Sequence, residues 1–238
     1  MGYSDTSTLL MAFTMKLGWA TAHGPCLMDL APTQTDPLTR SALRALQHSG
    51  DTPFVQRSSA SFQTQWTPFE QGVDAPFSLT VPTQWRRLDG DQGAVRFSGR
   101  LMGGCLDTVA WLAGSSWGDV PSFCHRHRDD GVILYFENAE MSPCGLMRCL
   151  LSLKRQGWFE DLAGLLIGRS AAPAVTDSSA LHEHEVLDRV FGSAQYPVLV
   201  DVDIGHQPPQ MTLMNGTLAT VTFDPVGTEV LQRLSPVA

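Results

Sequence analysis

Apolar positions recur with helical or strand spacing in segments spread along the whole chain. The first segment predicts a helix that starts directly after the polar turn at residues 2–5 and carries a broad apolar face. That face consists of Leu9, Leu10, Ala12, Phe13 and Leu17. A second helix is predicted to open at Asp36-Pro37, because proline suits the first helical position, and to end near Gly50. Its apolar side consists of Leu38, Leu43 and Leu46.

The second half of the chain alternates strand-like and helix-like segments. Residues 94–101 alternate like a strand and run into Gly103-Gly104, after which a helix is expected. Short apolar runs at 131–137, 162–168 and 196–202 predict further strands, and residues 146–156 and 181–191 predict helices. Asn215-Gly216 predicts a hairpin within residues 210–223. This pattern favours an α/β protein.

The stretch from Asp51 to Gln92 breaks the pattern. It is rich in serine and proline and contains Trp66 and Trp85, so it is interpreted as a long connector, and a second unit is predicted to start near Ala94. Both tryptophans are expected in the core, with stacking on a substrate as the alternative.

Composition narrows the classes of partner. The chain has 238 residues, 43% of them hydrophobic, which is enough to bury the core of one large or two small domains. A formal charge of -8 argues against nucleic acids and anionic membranes and favours a small cationic or zwitterionic partner. Five cysteines without a C-x-x-C motif indicate a reducing compartment, and we expect a cytoplasmic protein.

Three polar residues stand where apolar segments end: Ser4, Glu137 and His206. A serine nucleophile needs a base within hydrogen-bond reach and a third group that orients the base. This trio offers one residue for each role. The hypothesis from these residues is therefore a serine hydrolase with Ser4, Glu137 and His206 as its catalytic residues.

Several ordered segments resemble the LD-carboxypeptidase family and its microcin C self-immunity branch. They are Gly-Tyr-Ser-Asp at 2–5, Thr-Ala-His-Gly-Pro at 21–25, Gly-Arg-Leu-Met-Gly-Gly-Cys-Leu-Asp at 99–107, Ile-Leu-Tyr-Phe-Glu-Asn at 133–138, Gly-Leu-Leu-Ile-Gly-Arg at 164–169, and the segment from Tyr196 through Gly205-His206 to Gly216. The resemblance implies an acyl-enzyme mechanism in which Ser4 attacks, His206 is the base, Glu137 orients it, and the backbone N–H of Asp5 binds the oxyanion.

The resemblance also implies a domain organisation. Residues 1–60 are expected to be the remnant of a Rossmann-like domain that bears the nucleophile, 61–93 a connector, and 94–238 a smaller, β-rich, barrel-like domain that bears Glu137 and His206. Met1 stands where the family has the end of the strand before the nucleophile, and a second oxyanion donor lies upstream in the family. We therefore expect a truncated chain with impaired stability and activity, and with Leu9, Leu10 and Phe13 exposed.

The resemblance implies two substrate classes, a murein L,D-peptide or a peptidyl-nucleotide of the microcin C kind, with no cofactor and no metal, and it suggests a homodimer. Trp85, Glu140 and Arg169 are candidate substrate-binding residues. A catalytically inactive binding module remains the alternative.

Metal-dependent hydrolysis through His182 and His184 is a third hypothesis. The H-E-x-x-H spacing is absent, so a solvated helix start is the favoured interpretation of that cluster.

Overall fold

The computed structural model describes residues 1–32, 34–48, 52–65, 75–224 and 227–234. Its helices are α1 (Thr6–Leu17), α2 (Pro37–Arg40), α3 (Ala42–Gln47), α4 (Leu106–Val109), α5 (Val120–Arg126), α6 (Pro143–Arg155) and α7 (Glu183–Phe191). Its strands are β1 (Thr21–His23), β2 (Phe54–Arg57), β3 (Ser61–Phe62), β4 (Val81–Pro82), β5 (Arg86–Arg87), β6 (Val95–Cys105), β7 (Val132–Glu137), β8 (Gly164–Gly168), β9 (Val198–Val202), β10 (Leu213–Asn215), β11 (Leu218–Phe223) and β12 (Glu229–Arg233). The predicted Gly50 helix end and Trp66 lie outside the described residues.

The centre of the structure is an eight-stranded mixed sheet with the order β2-β12-β11-β6-β7-β8-β9-β5. Strands β6 to β9 are parallel to one another, and the remaining neighbours pair antiparallel. The α/β prediction is therefore confirmed. Within the described residues, no helix combines the length and apolar character needed to cross a membrane.

Strand β7 shows how the sheet is covered on both faces. All six of its residues are buried, as expected of a central parallel strand. Successive side chains point to opposite faces, so Val132, Leu134 and Phe136 join one apolar cluster, and Ile133 and Tyr135 join the other. Helices α6 and α7 cover the first face. Glu137 continues the series of Ile133 and Tyr135 and therefore faces the second cluster.

The hairpin predicted around Asn215-Gly216 is wrong, although a turn is present there. Strand β10 pairs with β1, whereas β11 pairs with β6 and β12. Long-range hydrogen bonds hold the end of β10 on β6 and β7. The side-chain oxygen of Asn215 accepts bonds from Gly103 N (3.0 Å) and from the Tyr135 hydroxyl (2.8 Å). Gly216 N also donates to Leu101 O at 2.8 Å, so the turn is docked on β6.

The two N-terminal helices differ from expectation in detail. The helix predicted from Asp36-Pro37 is split into α2 and α3 at Ser41, and Leu43 and Leu46 are exposed while Leu38 is buried. In α1 the buried side includes Leu10, Met11 and Met15, which pack towards β6 and α4.

Part of the predicted apolar face of α1 points to solvent, whereas Ala12 is buried. Leu9 and Phe13 are exposed as expected, and so is Leu17, but Leu10 is buried.

The predicted segments 1–60, 61–93 and 94–238 all contribute to the central sheet. Strand β2 comes from the first segment and pairs with β12, and β5 comes from the second and pairs with β9. The division of the chain into domains at these boundaries stays a prediction.

Candidate active site

The carboxyl ends of the parallel strands meet at one edge of the sheet, which is where ligands bind in open α/β sheets. Cys105 ends β6 and lies opposite Glu137, which ends β7. Strand β8 ends at Gly168, and the loop after β9 carries His206. The sheet therefore brings residues separated by about a hundred positions in sequence to a common edge.

Glu137 and His206 form the central contact of the site. The Nδ1 atom of His206 lies 3.0 Å from Oε1 and 3.1 Å from Oε2 of Glu137. The Glu137 side chain is fully buried, whereas 17% of the His206 side chain is exposed. With Nδ1–H donating to the carboxylate, Nε2 carries the lone pair that a general base needs.

Gly205 permits this contact. Its φ is +92°, and a Cβ at this position would lie 2.2 Å from Cγ of Glu137. Any larger residue would push the carboxylate away from the imidazole. Gly168 approaches the same side chain, since a Cβ there would lie 2.8 Å from Cβ of Glu137.

The acidic surroundings raise the pKa of His206 above its ordinary value of 6.5. Burial, the largest single influence, lowers this pKa, but the hydrogen bond that His206 donates to Glu137 and the charges of Glu137, Asp107 and Glu140 together outweigh it. The protonated imidazole is therefore favoured up to a higher pH than in an unperturbed histidine. This is the behaviour expected of a base that must hold a proton during acyl transfer.

Ser4 lies in a left-handed turn directly before α1, with φ +58°. Its carbonyl accepts bonds from Ser7 N (2.9 Å) and from the Thr108 hydroxyl (3.3 Å), which joins the turn to α4. The ring of the neighbouring Tyr3 meets His206 edge-on with centroids 4.8 Å apart. Ser4 is thus beside the Glu137–His206 pair, although within the described residues its hydroxyl makes no hydrogen bond to His206.

Sequence reasoning missed a buried group that holds the His206 loop. Asp203 is fully buried and accepts bonds from Arg169 Nη1 (2.8 Å), Trp85 Nε1 (2.8 Å) and the backbone N–H of Ser59 (3.1 Å). Arg169 also donates through Nη2 to the carbonyls of Gln207 (2.9 Å) and Pro209 (2.8 Å). We call Asp203, Arg169, Trp85 and Ser59 the Asp203 cluster. An aspartate soon after a strand end was its only signal in the sequence.

A comparison with known families identifies the chain. The profile of the LD-carboxypeptidase C-terminal domain matches residues 98–221, which include Glu137 and His206. The chain belongs to the LD-carboxypeptidase family. The microcin C7 self-immunity protein MccF of Escherichia coli is 25% identical over an alignment of 243 positions, which covers 94% of this chain and 62% of MccF. The chain thus spans less than two thirds of the length of the curated relatives that it matches first.

Solved structures of this family share the fold. The structure of MccF in complex with glutamyl sulfamoyl guanosine superposes with a TM-score of 0.76 at 22% identity. The superposition covers 100% of this chain and 68% of the MccF chain. Muramoyltetrapeptide carboxypeptidase from Oxalobacter formigenes has a TM-score of 0.69 at 20% identity, with 99% and 68% covered.

The three substrate-binding candidates lie in different environments. Trp85 and Arg169 are 5% and 3% exposed, and both bind Asp203, although Arg169 also lines a cavity of about 460 Å³. Their contacts support a positioning role for the His206 loop. Glu140 is exposed, and its charge acts on His206, so it has the access that a substrate contact needs.

Two cavities open beside the site of this family member. One of about 620 Å³ is lined by Asp107, Glu140 and apolar side chains that include Leu106 and Trp111. The other, of about 460 Å³, lies on the side of Gln207. In it stands Glu183, whose pKa is raised mainly by burial. Both cavities therefore combine apolar walls with acidic groups.

His23 and the His182-His184 pair lie outside the candidate acid–base chemistry. His23 is fully buried, and burial followed by the charge of His206 lowers its pKa to about 3, so it stays neutral. The rings of His182 and His184 stack 5.7 Å apart at the start of α7, where His182 N donates to Glu185 at 2.8 Å. This agrees with a capped, solvated helix start. Among the described residues, the group of potential metal ligands that converges is Cys105, Glu137 and His206.

Proposed function

We propose that the chain is a serine peptidase of the LD-carboxypeptidase type that cleaves an amide next to a C-terminal or acidic residue. The observation that carries the proposal is the buried Glu137–His206 pair at the carboxyl edge of the sheet, with the Ser4 turn beside it. His206 Nε2 takes the Ser4 proton as the hydroxyl attacks the carbonyl carbon. The proton then passes to the leaving amine, and water releases the acyl group by the same base.

The start of α1 supplies part of the oxyanion site. The first backbone N–H groups of a helix have no partner within the helix, and the helix dipole favours negative charge there. The N–H of Asp5, the residue after the nucleophile, is the donor that we assign to the developing oxyanion. Removal of a single oxyanion donor costs about 10²–10³ in rate, so this N–H is a substantial share of the catalytic effect.

Two substrate classes suit the surroundings of the pair. They are a murein L,D-peptide and a peptidyl-nucleotide, because a relative is a muramoyltetrapeptide carboxypeptidase and MccF binds aspartyl and glutamyl sulfamoyl nucleosides. Asp107 and Glu140 lie close enough to raise the His206 pKa and line one cavity. An ammonium group on the substrate would be attracted to that side. We propose a cytoplasmic location and a homodimer on the same family grounds.

The test is hydrolysis of a murein tetrapeptide and of a peptidyl-sulfamoyl-adenosine at matched folded concentration. Ser4→Ala should abolish turnover, because it removes the hydroxyl that we propose as the nucleophile. Thr8→Ala, a change on the same helix, should leave turnover intact. Faster hydrolysis of the murein tetrapeptide would indicate an LD-carboxypeptidase, and faster hydrolysis of the peptidyl-sulfamoyl-adenosine would indicate the self-immunity branch. Equal turnover by the Ser4→Ala chain would refute the proposed nucleophile.

A catalytically inactive binding module is the second candidate. The exposed apolar side chains of Leu9, Phe13 and Leu17 on α1 favour it, because they offer a surface for another chain. No turnover by a folded wild-type chain, together with binding of either substrate class, would support this candidate over the enzyme.

A further inference from the structure

The end of β6 places a thiol against the candidate catalytic pair. Cys105 is 1% exposed, and its Sγ, a carboxylate oxygen of Glu137 and a ring nitrogen of His206 all lie within 4.8 Å of one another. We propose that these three residues form a binding site for a thiophilic divalent cation such as Zn²⁺. The inference uses residues of the proposed active site but does not require that the chain be an active peptidase.

The donor set matches the chemistry of zinc. Thiolate sulfur, imidazole nitrogen and carboxylate oxygen are its three usual protein ligands, at roughly 2.3, 2.0 and 2.1 Å. In a tetrahedral centre with these bonds, ligand atoms stand roughly 3.3–3.8 Å apart. Atoms that already lie within 4.8 Å of one another need to close by at most about 1.5 Å. His206 can supply this movement because it is the partly exposed member of the three.

The charges of the site also favour a dication. Binding releases to solvent the proton of the Cys105 thiol and, where His206 is protonated, one imidazolium proton, so one thiolate and the Glu137 carboxylate together balance the two charges of the ion. Neutral imidazole adds a third bond without adding charge. The occupied site would have no net charge, so the buried ion would avoid the large desolvation cost of an uncompensated charge.

The three ligands are held by the surrounding fold, as outer contacts must do at a metal site. Cys105 N donates to the Ser7 hydroxyl at 3.0 Å, which fixes the end of β6. Glu137 is enclosed by Gly168 and Gly205. The His206 loop is held by Arg169 through its bonds to loop carbonyls. The cation enters from the solvent-exposed side of His206.

Occupancy of this site opposes the proposed catalysis. The hydrogen bond of 3.0 Å between Glu137 and His206 orients the base in the proposed mechanism. A bound ion would replace this hydrogen bond, because both side chains would then coordinate the metal. Zinc is therefore expected to act as an inhibitor of this chain and not as its cofactor. Cys105 makes the site selective for thiophilic ions over Mg²⁺ and Ca²⁺, which prefer oxygen ligands.

Cobalt titration tests the site without any measurement of turnover. Co²⁺ bound to a thiolate absorbs in the near ultraviolet, and Zn²⁺ displaces it. We expect this absorption to saturate at one equivalent in the wild-type chain under reducing conditions. It should be lost in Cys105→Ser and retained in Cys144→Ser, which changes an exposed cysteine on α6. His206→Ala should also weaken cobalt binding. Because it removes a different ligand, the test does not depend on the folding of Cys105→Ser alone.

The outcomes separate this inference from the proposed function. The Ser4→Ala chain should bind cobalt like the wild type, because Ser4 is not a ligand. A cobalt band in a chain without turnover would support the metal site while counting against the peptidase. No band in the folded wild-type chain, or a band that survives both Cys105→Ser and His206→Ala, would overturn the metal site even if the peptidase is active. In an active chain, Zn²⁺ inhibition should be relieved in Cys105→Ser.

Discussion

Gly205→Ala should be among the most damaging small substitutions in this protein. The new Cβ would lie 2.2 Å from Cγ and 2.3 Å from Cδ of Glu137, so the carboxylate or the His206 loop must move. Overpacking of this kind costs about 1–3 kcal/mol. An alanine at φ +92° adds about 1–2 kcal/mol of backbone strain. We expect a total loss of about 2–5 kcal/mol in the free energy of unfolding.

Gly90→Ala is the matched control. Gly90 has a similar φ of +74°, but a Cβ there has no heavy atom within 4 Å, so only the backbone strain of about 1–2 kcal/mol remains. Urea denaturation of both variants measures the difference, and turnover at matched folded concentration should fall in Gly205→Ala alone. Equal losses of stability in the two variants would refute the packing of Gly205 on Glu137. Unchanged turnover in Gly205→Ala would refute the role of the Glu137–His206 contact.

The other predictions concern the base and the Asp203 cluster. The rate constant kcat/KM should rise with pH through a pKa above 6.5, because His206 must be neutral to accept a proton and its pKa is raised. Glu137→Gln removes the carboxylate charge that contributes most to the raised pKa and leaves the burial that lowers it, with Asp107 and Glu140 unchanged. The rise should therefore move to lower pH while kcat falls by up to about 10⁴-fold. An unmoved pH profile would contradict this assignment. Trp85→Phe removes the indole donor from buried Asp203 and should cost about 1–3 kcal/mol in urea denaturation, whereas Trp111→Phe, at an 87% exposed position, should cost nothing measurable. Equal effects of the two changes would contradict the Asp203 cluster.

Local pattern was a good guide to the elements of the central sheet. Apolar runs predicted β7 and β8, and helical spacing predicted α6 and α7, because their residues are buried along whole faces and their period shows in the sequence. The same reasoning failed at Asn215-Gly216. A turn signal states that the chain reverses, but partners for the flanking strands are chosen by long-range bonds, here those of Asn215 to Gly103 and Tyr135.

For the site, the sequence by itself determined the residue types available and, through resemblance, the family. It named Ser4, Glu137 and His206, because each stands at the border of an apolar segment and the residues around each of them resemble the family. Only the tertiary structure decided that Glu137 and His206 touch, that Trp85 and Arg169 are held by Asp203, and that Cys105 lies against the pair. The physical reason is that parallel strands bring their carboxyl ends to one edge, so contacts between residues far apart in sequence follow from strand order and register and not from local spacing.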